Sequence, residues 1–323
     1  MSEPVFPVRV VSVTYEARDV LSFVLAREDG TDLWSFEPGS HVDVHLPNDL
    51  MRSYSLSNAG TEHGRYRITV ARDANSKGGS TFMHDSLQAG RMIEIGKPRN
   101  NFPLFEQAPL SVFIAGGIGV TPFLPMMVRL NALGRRWRIH YCVRTRDRAG
   151  LLQEIEGLAA SAGLGEVVPN FDEEPGGTML DLRGVVAALS PQDHIYCCGP
   201  IGMLDAFRSA CAGGGIADDR VHFEYFSSNV EAAAEGGYEV VLEKSGKSVR
   251  VAEGETLLDA LIRAGANIPF SCQEGVCGAC ETRVLDGTPD HRDLILTERE
   301  RAANRTMMVC CSGSLSPVLK LDL

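Results

Sequence analysis

Leu110-Ser111-Val112-Phe113-Ile114-Ala115-Gly116-Gly117-Ile118-Gly119-Val120-Thr121-Pro122 reads as a buried strand, a glycine turn and the start of a helix. A near-continuous apolar run belongs to a strand covered on both faces. The glycines let the backbone pass close to a neighbour or a ligand. Pro122 suits the first helical turn, where its missing N–H is not needed. Helical spacing follows to Leu133. Strand-like runs recur at Arg138 to Val143, Val167 to Phe171, His194 to Cys198 and Val221 to Phe226, with helical stretches between them. Such alternation predicts βαβ units and a parallel sheet. Cys198-Gly199-Pro200, with Met203 one turn into the next helix, ends a later strand as Gly116 ends the first. Ligands of open parallel sheets sit outside the carboxyl ends of the strands, so the two loops are expected to face one crevice. The glycine turn is not the G-x-G-x-x-G fingerprint, and alone it names no ligand.

Upstream, residues 7 to 98 follow a different grammar. Arg9 to Val13, His41 to Leu46 and Arg65 to Val70 alternate apolar and polar at period two, punctuated at Pro38-Gly39, Pro47-Asn48 and Asn75 to Gly79. This predicts an antiparallel sheet closing into a barrel, with one short helix near Ser80 to Leu87. Arg52-Ser53-Tyr54-Ser55 sits within it. An arginine can grip a phosphate, an aromatic can flank a ring, and hydroxyls can bond the ring's edge. Lys77-Gly78-Gly79-Ser80-Thr81 opens the short helix, where free N–H groups favour an anion. Each motif alone is equally an ordinary strand or cap. In this order, ahead of a nucleotide-type domain, they form a candidate flavin phosphate and ring site.

Downstream, Ser227 to Gly237 has the small, polar composition of a linker. Tyr238 to Glu243 and Lys247 to Val251 then read as a hairpin and Thr256 to Ala264 as a helix. Cys272-Gln273-Glu274-Gly275-Val276-Cys277-Gly278-Ala279-Cys280 is a C-x4-C-x2-C run with Cys310 far behind it, the plant-type 2Fe-2S spacing. A zinc site would show paired C-x2-C units and leaves the four-residue gap unexplained. Gly275, Gly278 and Ala279 leave room for the backbone to wrap a cluster. Cys310 and Cys311 are adjacent, and in extended backbone only one of them can face it.

The chain has 323 residues, 44 % of them apolar and 23 % charged, the mix of a globular protein of two or three domains. A net charge of −11 argues against a nucleic-acid partner, and no apolar run is long enough to span a bilayer. The N-terminus shows no basic region followed by an apolar one, so a cytoplasmic setting is expected, where clustered cysteines read as metal ligands before disulfides. Of the nine cysteines, Cys142, Cys197 and Cys211 read as small buried hydrophobes.

Together, Arg52-Ser53-Tyr54-Ser55, Gly78-Gly79-Ser80, Gly116 to Pro122 and Cys198-Gly199-Pro200 resemble the ferredoxin-NADP reductase superfamily. The added C-terminal cysteine domain is similar to plant-type ferredoxins and narrows the likeness to the phthalate dioxygenase reductase family, which the vanillate demethylase reductases also resemble. Pro98 to Phe102, His222-Phe223-Glu224 and Asp290-His291-Arg292-Asp293 match as well. The resemblance implies three domains: an FMN-binding antiparallel β-barrel (1–103), an NAD-binding α/β domain with a parallel sheet (104–226), and, after a linker (227–237), a β-grasp plant-type ferredoxin domain (238–323). It implies that Arg52, Ser53, Tyr54, Ser55, Val70, Arg72, Gly78, Gly79 and Ser80 line FMN, with Thr121 and Phe226 reaching it. Gly116, Gly117, Cys198, Gly199, Pro200 and Met203 would lie along NADH, and Cys272, Cys277, Cys280 and Cys310 would hold the cluster. Arg144, Arg146 and Arg148 could accept the 2′-phosphate of NADPH or form a solvated loop; the likeness favours NADH.

The implied activity is transfer of electrons from NADH through FMN and the cluster to a separate Rieske-type terminal oxygenase. No Rieske pair of Cys-x-His motifs occurs in this chain. A haem or diiron hydroxylase is the alternative acceptor, and an iron–sulfur sensor with a vestigial flavin domain is a reading of a different class.

Overall fold

The computed structural model describes residues 5–47, 50–60, 62, 64–74, 76–227 and 231–323. The chain divides into two compact units, one Val5–Phe226 and the other built on Ser227–Leu323.

The larger unit opens with strands β1 (Phe6–Ala17), β2 (Val20–Ala26), β3 (Ser40–His45), β4 (Met51–Ser55), β5 (Arg65–Ala71), β6 (Met92–Ile95) and β7 (Arg99–Asn100). They form one antiparallel sheet in the order β4-β3-β6-β1-β2-β5, with β7 on β3. A bridge from Leu56 to Ile68 joins the end of β4 to β5 and closes the barrel that the period-two pattern predicts. The apolar members of the alternation point inward: Val8, Val10, Phe23, Leu25, Val42, Val44 and Ile68 are fully buried. Helix α1 (Gly79–Asp85) packs beside β5. Of the turn residues expected here, Asn48 and Asn75 lie outside the described residues.

The same unit continues with β8 (Leu110–Gly116), α2 (Phe123–Ala132), β9 (Arg136–Val143), α3 (Leu152–Ala162), β10 (Gly165–Phe171), α4 (Leu182–Ala187), β11 (His194–Cys198), α5 (Ile201–Gly213) and β12 (Val221–Glu224). All five strands run parallel in the order β10-β9-β8-β11-β12. The order reverses between β8 and β11, whose carboxyl ends carry Gly116–Gly119 and Cys198–Pro200. A glycine turn of 3-10 form (Gly117–Val120) precedes α2, and Pro122 caps it. Strand β12 stops two residues short of the expected Phe226, which is 39 % exposed. Cys142, Cys197 and Cys211 are buried.

In the smaller unit, β13 (Glu239–Leu242), β14 (Lys247–Arg250), α6 (Leu257–Arg263), β15 (Glu281–Asp286), β16 (Pro289–Asp290), α7 (Glu298–Ala303), β17 (Thr306–Met308), β18 (Gly313–Ser314) and β19 (Val318–Leu321) surround one apolar core. The sheet order is β14-β13-β19-β15-β17, with β13 and β19 parallel, and β16 pairs with β18. The hydroxyl of Thr256 accepts from Asp259 N–H and starts α6 where the sequence expects it. Of the expected linker, Ser228, Asn229 and Val230 lie outside the described residues. Its end is tied down: Ala233 N–H donates to Cys311 O at 2.8 Å and Gly237 N–H to Val251 O at 2.8 Å. Small residues let this segment lie flat on the unit. No described helix is long and apolar enough to cross a membrane.

Candidate functional site

Two places gather residues that the sequence singles out, and the barrel motif around Arg52 and Gly79 forms a further group outside the lining of the first. The first is a cleft of about 270 Å³ in the larger unit. Asp19, Ala71 and Arg72 line it from the barrel, and Gly116, Gly117, Cys142, Asp172, Pro200 and Met203 from the carboxyl end of the parallel sheet.

Glycine makes the two sheet loops meet. A Cβ on Gly116 would lie 2.6 Å from Pro200 Cδ and 2.9 Å from Met203 Sδ, and one on Gly199 would lie 3.0 Å from Gly116 Cα. A Cβ on Gly119 would collide with the carbonyl oxygen of Cys198. These contacts bring the bare backbone of Gly116 and Gly117 into the crevice beside the Pro200 and Met203 side chains, which suits a ligand that must lie close. Thr121 is buried and its hydroxyl donates to Ile118 O at 3.0 Å.

Cys198 has no solvent exposure, and burial pushes its thiol well up, with Glu224 and Cys197 adding to the effect. It is therefore a neutral thiol. Directly across the strand pair stands Glu224. Burial pushes that carboxyl up to about 8, and its Oε2 has no hydrogen-bond partner among the described residues. The sequence marks Glu224 only as part of a matching stretch; its register with Cys198 is a product of the fold.

Around the barrel motif, Arg52 Nη1 donates to Met51 O at 2.7 Å and Nη2 reaches Lys77 O at 3.5 Å, so the guanidinium runs across the start of α1. Gly79 must be glycine for this: a Cβ there would lie 2.8 Å from Arg52 Cγ. Gly78 caps the helix in the left-handed region, with φ 96°. Ser80 Oγ accepts from Asp73 N–H at 3.1 Å. Tyr54 packs on the barrel core, and burial pushes its phenol up to about 12. Ser53 instead donates to Asp43 Oδ1 at 2.6 Å. Val70 is a core residue, and Arg72 forms a bidentate pair with Asp85 at 2.6 and 2.9 Å. Ser55 Oγ is buried without a hydrogen-bond partner among the described residues. A buried hydroxyl left unpaired costs stability unless something else bonds it, and a flavin edge would. The cradle at Gly79 and the orphaned Ser55 both fit a bound flavin phosphate and ring.

The second place is the cysteine loop of the smaller unit. Cys277, Cys280 and Cys310 are buried and Cys272 is half-buried. Cys272 is in side-chain contact with Cys277 and with Cys310, and Cys280 with Cys310. Contact with Cys272, then burial, pushes the Cys277 thiol up; contact with Cys310, then burial, does the same to Cys280. Four crowded sulfurs cannot all ionise without a cationic centre among them. Backbone N–H groups already aim at them, Cys272 N–H to Cys277 Sγ at 3.5 Å and Glu274 N–H to Cys272 Sγ at 3.3 Å. Among the described residues no three or more His, Cys, Asp or Glu side chains close around one point as a single ion requires. The contacts join Cys272 to Cys277 and to Cys310, and Cys280 to Cys310, which brings together the four sulfurs that a four-cysteine cluster takes. Cys311 lies beside Cys310 and against Gly275, its Sγ 3.8 Å from Met308 O.

Comparison with known proteins places these features in context. Family models match an oxidoreductase FAD-binding domain at residues 7–103, an oxidoreductase NAD-binding domain at 113–209 and a 2Fe-2S iron-sulfur cluster binding domain at 240–313. The chain is 48 % identical to the phenoxybenzoate dioxygenase subunit beta of Ectopseudomonas oleovorans over 315 residues, covering 98 % of this chain and 96 % of that protein. The structure of phthalate dioxygenase reductase, described as modular for electron transfer from pyridine nucleotides to [2Fe-2S], aligns with TM-score 0.72 and 35 % identity, covering 99 % of this chain and 98 % of that one. An intact type IV self-sufficient cytochrome P450 monooxygenase aligns with TM-score 0.89 and 36 % identity over 100 % of this chain, which spans only 42 % of that longer protein.

Proposed function

The chain belongs to the phthalate dioxygenase reductase family, and on that premise we propose that it is the reductase component of a two-component Rieske non-haem iron oxygenase, acting in the cytoplasm and taking electrons from NADH through FMN and a 2Fe-2S cluster to that oxygenase. The single observation that carries the reading is one chain with both a cleft between the barrel and the carboxyl end of the parallel sheet and four adjoining cysteine sulfurs. The division that goes with it is 1–103 for FMN, 104–226 for NADH, a joint at 227–237 and 238–323 for the cluster.

When bound, the flavin accepts a hydride's two electrons and releases them singly, which is what a one-electron cluster requires. The protein's part is placement. Arg52 and the start of α1, with Gly78, Gly79 and Ser80, hold the phosphate. Tyr54, Ser55, Val70 and Arg72 flank the ring, with Ser53, Thr121 and Phe226 at its margin. Gly116, Gly117, Gly199, Pro200 and Met203 keep the nucleotide close, while the neutral Cys198 and Glu224 present no charge to a hydride donor. Cys272, Cys277, Cys280 and Cys310 ligate the cluster.

NADH in place of NADPH is supported by the arginines after β9. Arg144 faces Glu173 at 3.5 Å, Arg148 pairs with Asp19 at 3.0 Å, and Arg146 lies 4.6 Å over the Phe171 ring. The Asp172 carboxylate lines the same cleft, and a carboxylate suits a ribose hydroxyl better than a phosphate. A haem hydroxylase is the second reading, favoured by the likeness to the cytochrome P450 monooxygenase.

The test is the purified chain. Flavin and iron–sulfur absorption that bleaches on adding NADH, acid release of a flavin with the mass of FMN, and reduction of a purified Rieske oxygenase are expected. A chain that binds a cluster but no flavin would sink the reading. A clear NADPH preference, or reduction of a haem hydroxylase but no Rieske protein, would replace its cofactor or its partner.

A further inference from the structure

The stretch Asp290 to Asp293 and the second thiol of the Cys310-Cys311 pair have no role in the reading above. In the structure they meet at Gly275, midway between Cys272 and Cys277. The Asp293 side chain has no solvent exposure. Its Oδ1 accepts from Ile295 N–H at 3.1 Å and from Leu296 N–H at 2.7 Å, which folds residues 293–296 into a tight turn. Arg301 donates to the carbonyl of the same residue and anchors the turn to α7. From inside the turn Leu294 N–H donates to Gly275 O at 3.0 Å. Gly275 has φ 70°, and a Cβ there would lie 3.0 Å from Asp293 Cα and 2.6 Å from Cys311 Sγ. The glycine is thus seated between the backbone of Asp293 and the Cys311 thiol. The residue before it, Glu274, aims its N–H at Cys272 Sγ.

We propose that Asp293 is a positioning residue of the iron–sulfur centre: its carboxylate shapes the 293–296 turn, the turn seats Gly275, and that seat directs the loop's N–H groups at the sulfurs. Cys311 supplies the opposite wall and is not a ligand. The inference rests on Cys272, Cys277, Cys280 and Cys310 holding the cluster. Neighbours that orient ligands without touching the metal commonly matter about ten- to a hundredfold in metal retention.

The experiment compares Asp293→Asn, Asp293→Ser and Asp293→Ala in the full chain by visible circular dichroism of the cluster and by the rate of iron release to a chelator. Asparagine keeps an oxygen that can accept both N–H groups, serine a weaker acceptor, alanine none. D293N is expected within about twofold of the unsubstituted chain with the same spectrum, and D293A at least about tenfold faster with an altered spectrum, D293S lying between. A role in general stability alone would leave the spectrum of the remaining cluster unchanged. D293A indistinguishable from the unsubstituted chain, or D293N as damaging as D293A, overturns the proposal. If D293A does not accumulate with a cluster, D293S against D293N decides, and equal rates overturn it. An unsubstituted chain without iron–sulfur absorption would instead remove the ligand assignment, so the two failures are distinct.

Discussion

The turn Gly116–Gly119 and the loop Cys272–Cys280 are both dense in glycine, and glycine does different work in each. In the cysteine loop Gly275 and Gly278 have φ 70° and 75°, the left-handed region that bends a chain around something it encloses. In the sheet turn Gly116 has φ −104°, which any residue adopts. What Gly116 and Gly119 lack is a Cβ, because the Cys198–Pro200 loop occupies that space. Gly117 and Gly278 need glycine for conformation, Gly116 and Gly119 for contact, and Gly275 for both. The bend of the cysteine loop can be read from its own glycines, whereas the seat of Gly275 and the packing of the sheet turn are intelligible only beside distant residues, Asp293 and Cys311 in one case and the Cys198–Pro200 loop in the other.

The largest effect expected from this contrast lies at the cysteine loop. Cys310→Ser should abolish the cluster's visible absorption while Cys311→Ser spares it; the reverse pattern would mean that the contacts of Cys310 with Cys272 and Cys280 do not mark the ligand. Next, Gly119→Ala drives a methyl group into the Cys198 carbonyl and should cost about 3 kcal/mol in the urea unfolding of the larger unit. Gly117→Ala, at φ 56° with open space around it, should cost only about 1 kcal/mol. Equal costs would break the distinction between contact and conformation.

A subtler effect concerns Glu224. Its carboxyl titrates near 8 when folded and near its ordinary value of 4.5 when unfolded. The folded state therefore holds the proton more tightly. The associated stability is complete below about pH 4.5 and is lost as pH rises through about 8. Glu224→Gln should flatten this fall, which cannot exceed about 1.4 kcal/mol per pH unit. An unchanged pH profile of unfolding in E224Q would show that another group carries it. The smallest change is expected from Ser55→Ala, whose hydroxyl has no hydrogen-bond partner among the described residues. It should shift the stability of the flavin-free chain by less than about 1 kcal/mol while hastening flavin release. Unaltered flavin retention would remove Ser55 from the site.

Much of the fold is legible along the chain because the signals are local. Period-two alternation marks the barrel strands, apolar runs mark β8 and β11, and Thr256 starts α6 as its side chain allows. The docked end of the expected linker is not legible, since alanines and glycines read alike whether they are free or hydrogen-bonded to Cys311 and Val251. Nor does the pattern announce that Ser53 donates to Asp43, which stands opposite it on β3, while Ser55, on the same strand face but opposite His41, finds no partner among the described residues. Glu224 and Asp293 escaped for a common reason. Each acts on a residue that is distant in sequence, Cys198 in one case and Gly275 in the other.

The sequence by itself determined the kinds of domain, their order and the identity of the cysteine centre, because strand periodicity, glycine turns and the C-x4-C-x2-C spacing are written in neighbouring residues. Only the tertiary structure decided which distant groups meet: Gly116 with Pro200, Cys198 with Glu224, Cys310 with Cys272 and Cys280, and Asp293 with Gly275. The reason is physical. Side-chain periodicity follows from local backbone geometry, whereas contact between loops depends on sheet order and register, which the packing of the whole chain sets.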